Sequence, residues 1–216
     1  MLKFRYNGSI IKASSKQDAL SIIVKGLNDA SLSKGFDKAY FDNYGYDGDT
    51  SYEASVTMSD DAFNPGIALY KKLNSKYPRT YVELGCGNGH YINRMLKYGV
   101  RSCVGCDFSD YFDNNIVCPK ENFFKNDSIS FLKTIDYPID LVYETTCQYL
   151  NDSDLDTLLS MLSNKIRNNG ILIIVYDDSR SFHLYRKQIH NRYWWKTFIK
   201  RYRFKPTQNQ FVFIKQ

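Results

Sequence analysis

Several absences narrow the reading first. No apolar run reaches the ~20 residues that a membrane-spanning helix needs, and the opening "MLKFRYNGSIIKASSKQ" has no secretory hydrophobic region. A cytoplasmic protein with no membrane partner is therefore expected. Cysteine is scarce and odd in number, five in 216 residues, which excludes a disulfide-built scaffold. Cys103 and Cys106 form a CxxC, but no second pair or His pair stands at zinc spacing, so no metal is expected. Acidic residues stop at Asp178; from there to Gln216 the chain carries ten Lys and Arg. The formal net charge of +6 is thus concentrated in the tail. Such a tail suits a solvated face with a lysine-protected edge strand, or a basic surface that meets an anion.

What is present describes one well-buried domain: 43% hydrophobic and 24% charged residues are globular values. "KFRYNGSIIK" reads as a hairpin around Asn7-Gly8, and "KQDALSIIVKGLND" as a helix. Residues 35–64 are aromatic and acidic without clear periodicity, the composition of a long functional loop or lid. "NPGIALYKKLNSKY" reads as a helix with Pro65 in its first turn. The chain divides at this point into an N-terminal extension, 1–64, and a main domain, 65–216.

From residue 79 strands and helices alternate. "TYVELG", "SCVGCD", "ENFFKND", "IDLVYET" and "ILIIVYD" read as strands, and "GHYINRMLKYG" as a helix. "NDSDLDTLLSMLSNKIRNNG" reads as a helix capped by Asp152 or Ser153 and ended at Asn168-Asn169-Gly170. Alternation of this kind predicts a parallel sheet with helices on both faces. The tail reads as a helix, "SFHLYRKQIHNRYW", then an antiparallel pair, "KTFIKRYRF" and "QFVFIKQ".

"TYVELGCGNGH" then raises a question of ligand. Gly85, Gly87 and Gly89 follow a strand directly and precede a helix. Such glycines let a ligand lie against bare backbone, and the helix start favours an anionic group. A dinucleotide loop would place its third glycine at position 90, where His90 stands, and no Gly-Lys-Ser/Thr triplet exists for a triphosphate. Glu83 at the strand end would repel a pyrophosphate and attract an ammonium group.

"VELGCGNG" resembles the first motif of class I S-adenosylmethionine-dependent methyltransferases. The resemblance continues in order. "VGCDFS" is similar to the second strand, whose terminal acid, here Asp107, holds the ribose hydroxyls. "FFKNDSISF" is similar to the third motif, with Asp127 toward the adenine amino group and a backbone contact from Ser128. "IDLVYETTCQYL" is similar to the fourth, at the reaction centre. It covers about residues 65–216 and implies a Rossmann-like α/β fold: a mostly parallel seven-stranded sheet with an antiparallel C-terminal strand. It implies S-adenosyl-L-methionine as cofactor, held by Glu83, Gly85, Cys86, Gly87, Gly89, Asp107, Phe108, Asp127 and Ser128. Methyl transfer to oxygen or nitrogen is an in-line displacement, so placement alone supplies ~7 kcal/mol or more of the acceleration.

The acceptor side is less determined. Glu144 is the leading candidate for a base, or for a group holding the acceptor, against a salt bridge or helix cap. Thr145 and Thr146 follow it toward the acceptor, with Tyr44 of the lid segment and His183 of the tail. Cys147 lacks the preceding proline of cytosine-5 methyltransferases and reads as a small helix-opening residue. A small-molecule acceptor leads. Two alternatives stand beside it: RNA or DNA bound by the basic, aromatic tail, and a methyltransferase-like binding module without catalysis.

Overall fold

The computed structural model describes residues 2–6, 9–22, 52–112, 115–176 and 192–216. Strands β1 (Leu2–Tyr6) and β2 (Ser9–Ala13) form the expected antiparallel hairpin, with Tyr6 opposite Ser9; its turn residues, Asn7 and Gly8, lie outside the described residues. A helix follows over 16–22, where Ser15 Oγ accepts the Asp18 N–H at 3.1 Å.

Helix α1 (Tyr52–Asn74) is longer than expected, and Pro65 lies in its interior rather than its first turn. The proposed boundary at 64–65 therefore falls inside a helix. Ala62, Phe63, Ile67 and Tyr70 are buried at helical spacing on both sides of the proline, so one apolar face runs through it. Proline removes the N–H that would reach the Asp61 carbonyl. That carbonyl takes a replacement donor, the side-chain amide of Asn209 at 3.3 Å.

The main sheet has seven strands in the order β5-β4-β3-β6-β7-β9-β8. They are β3 (Thr80–Leu84), β4 (Ser102–Asp107), β5 (Phe123–Lys125), β6 (Ile139–Glu144), β7 (Ile166–Ile174), β8 (Phe204–Pro206) and β9 (Val212–Lys215). All neighbours pair in parallel except β9, which is antiparallel to both β7 and β8. The Rossmann-like expectation, including its antiparallel last strand, is met. The chain moves outward from β3 to β4 and β5, then returns to β6 on the other side of β3. That reversal opens a crevice between the tips of β3 and β6.

Helices α1 and α2 (His90–Lys97) cover one face, around Phe63, Tyr81, Tyr91, Tyr143 and Ile173. Helices α3 (Ser128–Thr134), α4 (Asp152–Lys165) and α5 (Arg192–Phe198) cover the other, around Val82, Val142, Leu158, Leu162 and Trp195. Each fully buried leucine of α4 contributes about 1.5–3 kcal/mol relative to exposure. The CxxC is split between these layers, Cys103 in the first and Cys106 in the second, and all five thiols are free and buried.

Two boundaries differ from expectation. Helix α4 is capped by Asn151, whose side chain accepts the Asp154 N–H, and it ends at Lys165. Asn168-Asn169-Gly170 lies within β7, where the pairing with β6 shifts register. There a Cβ on Gly170 would stand 2.6 Å from Ile166 Cγ2 and 3.0 Å from the Asp140 carbonyl. The stretch marks a bulge, not a helix end. In the tail, "KTFIKRY" is helical rather than β-like: Trp195, Ile199 and Tyr202 are buried at positions i, i+4 and i+7. The strand begins only at Phe204. No described helix is long and apolar enough to cross a membrane.

Candidate functional site

The glycine loop bridges β3 and α2 at the crevice. Gly85, Gly87 and Gly89 all have positive φ, at 75°, 54° and 81°. The N–H groups of Gly85 and Cys86 both donate to the Cys106 carbonyl at 2.9 Å, tying the loop to β4, and Gly89 N–H donates to the Cys86 carbonyl at 2.9 Å. A Cβ at Gly85 would sit 2.4 Å from Thr145 Oγ1. Glycine is therefore required there twice, by conformation and by space. From the other side the segment after β4 straps across the loop. Val117 N–H donates to the Asn88 carbonyl at 2.9 Å, and Cys118 packs beneath Gly89.

Two carboxylates sit under this loop. Asp107, at the tip of β4, accepts Gly87 N–H on one oxygen at 2.9 Å and Ser109 N–H on the other at 3.0 Å. Burial raises its pKa, while these backbone donors and the Lys125 charge pull it back. Glu83 is only 2% exposed. Its carboxylate accepts the Tyr81 hydroxyl at 3.0 Å and interacts with the Ile92 backbone in the first turn of α2. Burial pushes its pKa well up, and the Asp107 charge adds to that. Glu83 thus joins β3 to the start of α2. Tyr81 was not singled out from sequence, although two residues apart on one strand place both side chains on one face.

The tip of β6 supplies the opposite wall. Glu144 is 0% exposed. One carboxylate oxygen accepts Thr146 N–H at 2.6 Å and the Thr146 hydroxyl; the other accepts Cys147 N–H at 3.0 Å. The side chain weighed as a base or as a cap here caps the turn that follows its own strand. Burial raises its pKa, and these donors oppose the rise. Thr145 Oγ1 donates to the Leu84 and Gly85 carbonyls at 3.0 Å each, stitching the β6 tip to the glycine loop. Thr146 Oγ1 lies 3.1 Å from Ser128 Oγ at the start of α3. Cys147 is fully buried in the apolar core, as its small-residue reading implied.

Asp127 caps α3, accepting Ser130 N–H on one oxygen at 2.8 Å, and remains exposed. Cys86 is buried with its thiol toward the Gly87 carbonyl, and Phe108 is half-buried beside Asp107. Glu83, the three glycines, Cys86, Asp107, Phe108, Asp127, Ser128, Glu144, Thr145 and Thr146 therefore gather around one crevice. Tyr44 and His183 lie outside the described residues, as do His190 and the aromatic stretch Tyr40–Tyr46. His90 begins α2 and is exposed, edge-on to Tyr91.

No protein-family model matches the sequence, and no curated protein matches it. Solved structures do match. A SAM-dependent methyltransferase from Archaeoglobus fulgidus aligns with a TM-score of 0.58 at 19% identity, over 78% of this chain and 75% of that one. The 1,6-didemethyltoxoflavin-N1-methyltransferase of Burkholderia thailandensis, with 1,6-didemethyltoxoflavin and S-adenosylhomocysteine bound, aligns at 0.56 and 11% identity over 99% of both chains. Magnesium protoporphyrin IX methyltransferase of Synechocystis PCC 6803, with SAM bound, aligns at 0.53 and 14% identity, over 83% of this chain and 95% of that one. The fold is that of the class I S-adenosylmethionine-dependent methyltransferases.

Proposed function

We propose that this protein is an S-adenosylmethionine-dependent methyltransferase with a small-molecule oxygen or nitrogen acceptor. The observation that carries the reading is the glycine loop. Three left-handed glycines hang at the tip of the central strand, at the point where strand order reverses, with Asp107 beside them. The donor set fits this cofactor better than a nucleotide polyphosphate. Asp107 under the loop disfavours a phosphate there, and no Gly-Lys-Ser/Thr triplet is present. The Asp107 carboxylate takes backbone N–H groups from Gly87, Ser109 and Phe108 and, with about four lone-pair sites, keeps capacity for a ribose diol.

In this reading the Gly85–Gly89 backbone and Asp107 hold the nucleoside, with Ser128 and the second oxygen of Asp127 toward the adenine. The bound cofactor supplies an activated methyl on a sulfonium, so the protein's task is to align and to exclude water. Glu144, Thr145 and Thr146 contribute by holding the β6 tip against the loop, with Glu144 as the cap of its own turn. The neighbours that act on a porphyrin and on a toxoflavin precursor support the small-molecule class.

Calorimetry with S-adenosylhomocysteine tests this reading. Binding to the wild type is expected, and Asp107→Asn should weaken it by about 1.5–3 kcal/mol, roughly tenfold to a hundredfold. Absence of binding to the wild type would end the proposal. One observation favours a nucleic-acid acceptor: Lys200, Arg201, Arg203 and Lys205 are exposed in the tail and have no acidic partner among the described ion pairs. RNA binding that weakens steeply with salt would favour it. Binding of the cofactor product without turnover of any acceptor would favour the non-catalytic module.

A further inference from the structure

Helix α1 runs antiparallel to β3, because only residues 75–79 separate its end at Asn74 from the start of that strand. Its opening turns therefore lie at the same end of the sheet as the glycine loop. Asp60 marks the level of the strand tips, since it meets the first turn of α2: its Oδ1 accepts the Tyr91 hydroxyl at 3.0 Å. The part of α1 before Asp60 spans 52–59. At 1.5 Å per residue it projects about 12 Å past the tips. Contacts of α1 with β7 and β9 put this overhang on the β6-β7 side of the crevice. A nucleophile in line with a methyl group held over β3 and β4 must approach from that side.

One side chain fixes the overhang to the donor side. Arg94 of α2 reaches across to α1 with both terminal nitrogens, one to Asp60 Oδ1 at 2.7 Å and one to Asn64 Oδ1 at 2.7 Å. Asp60 and Asn64 are four apart and share a face of α1. The guanidinium also lies 5.3 Å from the centre of the Phe63 ring and donates from Nε to the Tyr98 hydroxyl at 3.1 Å. A lone pair this exposed, 26% and 38%, would contribute little. A fork with two acceptors on one helix face, backed by a ring, holds direction as well as distance. Beyond Asp60 the described part of this face packs inward, with Ala62, Phe63 and Ile67 buried.

We propose that Arg94 is a positioning residue that fixes the overhanging first turns of α1 as the acceptor-side wall, at a set distance from the glycine loop. The inference concerns the site assigned above and rests on that reading for its role, but the clamp itself can be tested without turnover. Hydrogen exchange is measured on the wild type, Arg94→Gln and Arg94→Lys, each with and without S-adenosylhomocysteine. In Arg94→Gln, residues 52–61 should exchange at least tenfold faster while β3, β6 and α4 keep their protection. Arg94→Lys restores the charge without the fork and should recover only part of that protection. S-adenosylhomocysteine affinity in both variants should stay within about threefold of wild type. Unchanged exchange over 52–61 in Arg94→Gln overturns the proposal. So does a uniform loss across the sheet, which would make Arg94 a general stabiliser. A tenfold or greater loss of product affinity also overturns it, since Arg94 would then belong to the cofactor loop. If the wild type binds no S-adenosylhomocysteine, the functional reading fails, while the exchange pattern still decides whether the clamp exists.

Discussion

Strand β6 carries a fully buried carboxylate near each end, and the two are held in opposite ways. At the lower end Asp140 has a cation: Arg167 Nε lies 2.8 Å away, in ion-pair rather than hydrogen-bond geometry. Asp140 also accepts the Tyr70 hydroxyl at 2.7 Å, Arg79 N–H at 2.6 Å and Thr80 N–H at 3.2 Å. It thereby locks the end of α1, the start of β3 and the bulge in β7 to one point. At the upper end Glu144 meets no cation among the described residues; the donors there are neutral and come from its own turn. Compensated charge marks the end that holds the fold together. Partly compensated charge marks the end where the crevice lies, as expected where side chains shape a site.

Breaking the lower lock should have the largest effect. Asp140→Ala leaves a tyrosine hydroxyl, two backbone N–H groups and a guanidinium without their acceptor. The expected loss is about 3–5 kcal/mol in denaturant unfolding, with the exchange pattern of 52–61 no worse than that of the sheet as a whole. A loss below about 1 kcal/mol would remove the contrast between the two ends.

Glycines at the two ends sharpen it next. Gly85 and Gly99 both have positive φ, 75° and 79°, but only Gly85 has a neighbour in the way. Gly99→Ala should cost about 1–2 kcal/mol for backbone conformation alone. Gly85→Ala adds the displacement of Thr145 and should reach about 2–4 kcal/mol, with loss of S-adenosylhomocysteine binding. Equal costs, read as midpoint shifts, would mean that the upper loop is no more tightly built than the lower turn.

Glu144→Gln should have a smaller and pH-dependent effect. An amide turns a donor toward one of the N–H groups that the carboxylate now accepts, at about 1–3 kcal/mol. Burial raises the folded-state pKa of Glu144 above its ordinary 4.5. Folded wild type therefore keeps this proton longer than the unfolded chain does. That part of its stability is present below pH 4.5 and is lost as pH rises through the folded value. Gln titrates nothing, so the deficit of Glu144→Gln should be widest at acid pH and shrink toward neutrality in parallel urea titrations. A deficit that grows with pH would show the ionised form to be the one the turn favours.

Much of the upper end was legible because its constraints are backbone constraints. Glycine spacing after an apolar strand announces a tight loop, and an acid closing the next strand announces Asp107. The mostly parallel sheet with its antiparallel last strand followed from the resemblance that the same motifs carry. Side-chain direction was not legible. Whether Glu144 faces a substrate or folds back onto Thr146 and Cys147 depends on a turn that no periodicity encodes. The long helix α1 was hidden by Pro65, because a proline usually opens a helix, and the amide that replaces its missing N–H comes from Asn209, far along the chain. Asn168-Asn169-Gly170 misled in the same way: glycine was needed there for close approach of backbone, not for a helix end.

The position of β9 between β7 and β8 has a consequence for how the chain reaches this state. Strand β8 is made first, yet among the described strands it has nothing to add to until β9 arrives, since β9 is its one partner there. Until then the edge of β7 presents the unpaired backbone of "ILII" to any passing strand. A nascent chain halted before residue 212 should be far more prone to self-association than one released after it, and the aggregation of such stalled products is where this ordering would show itself.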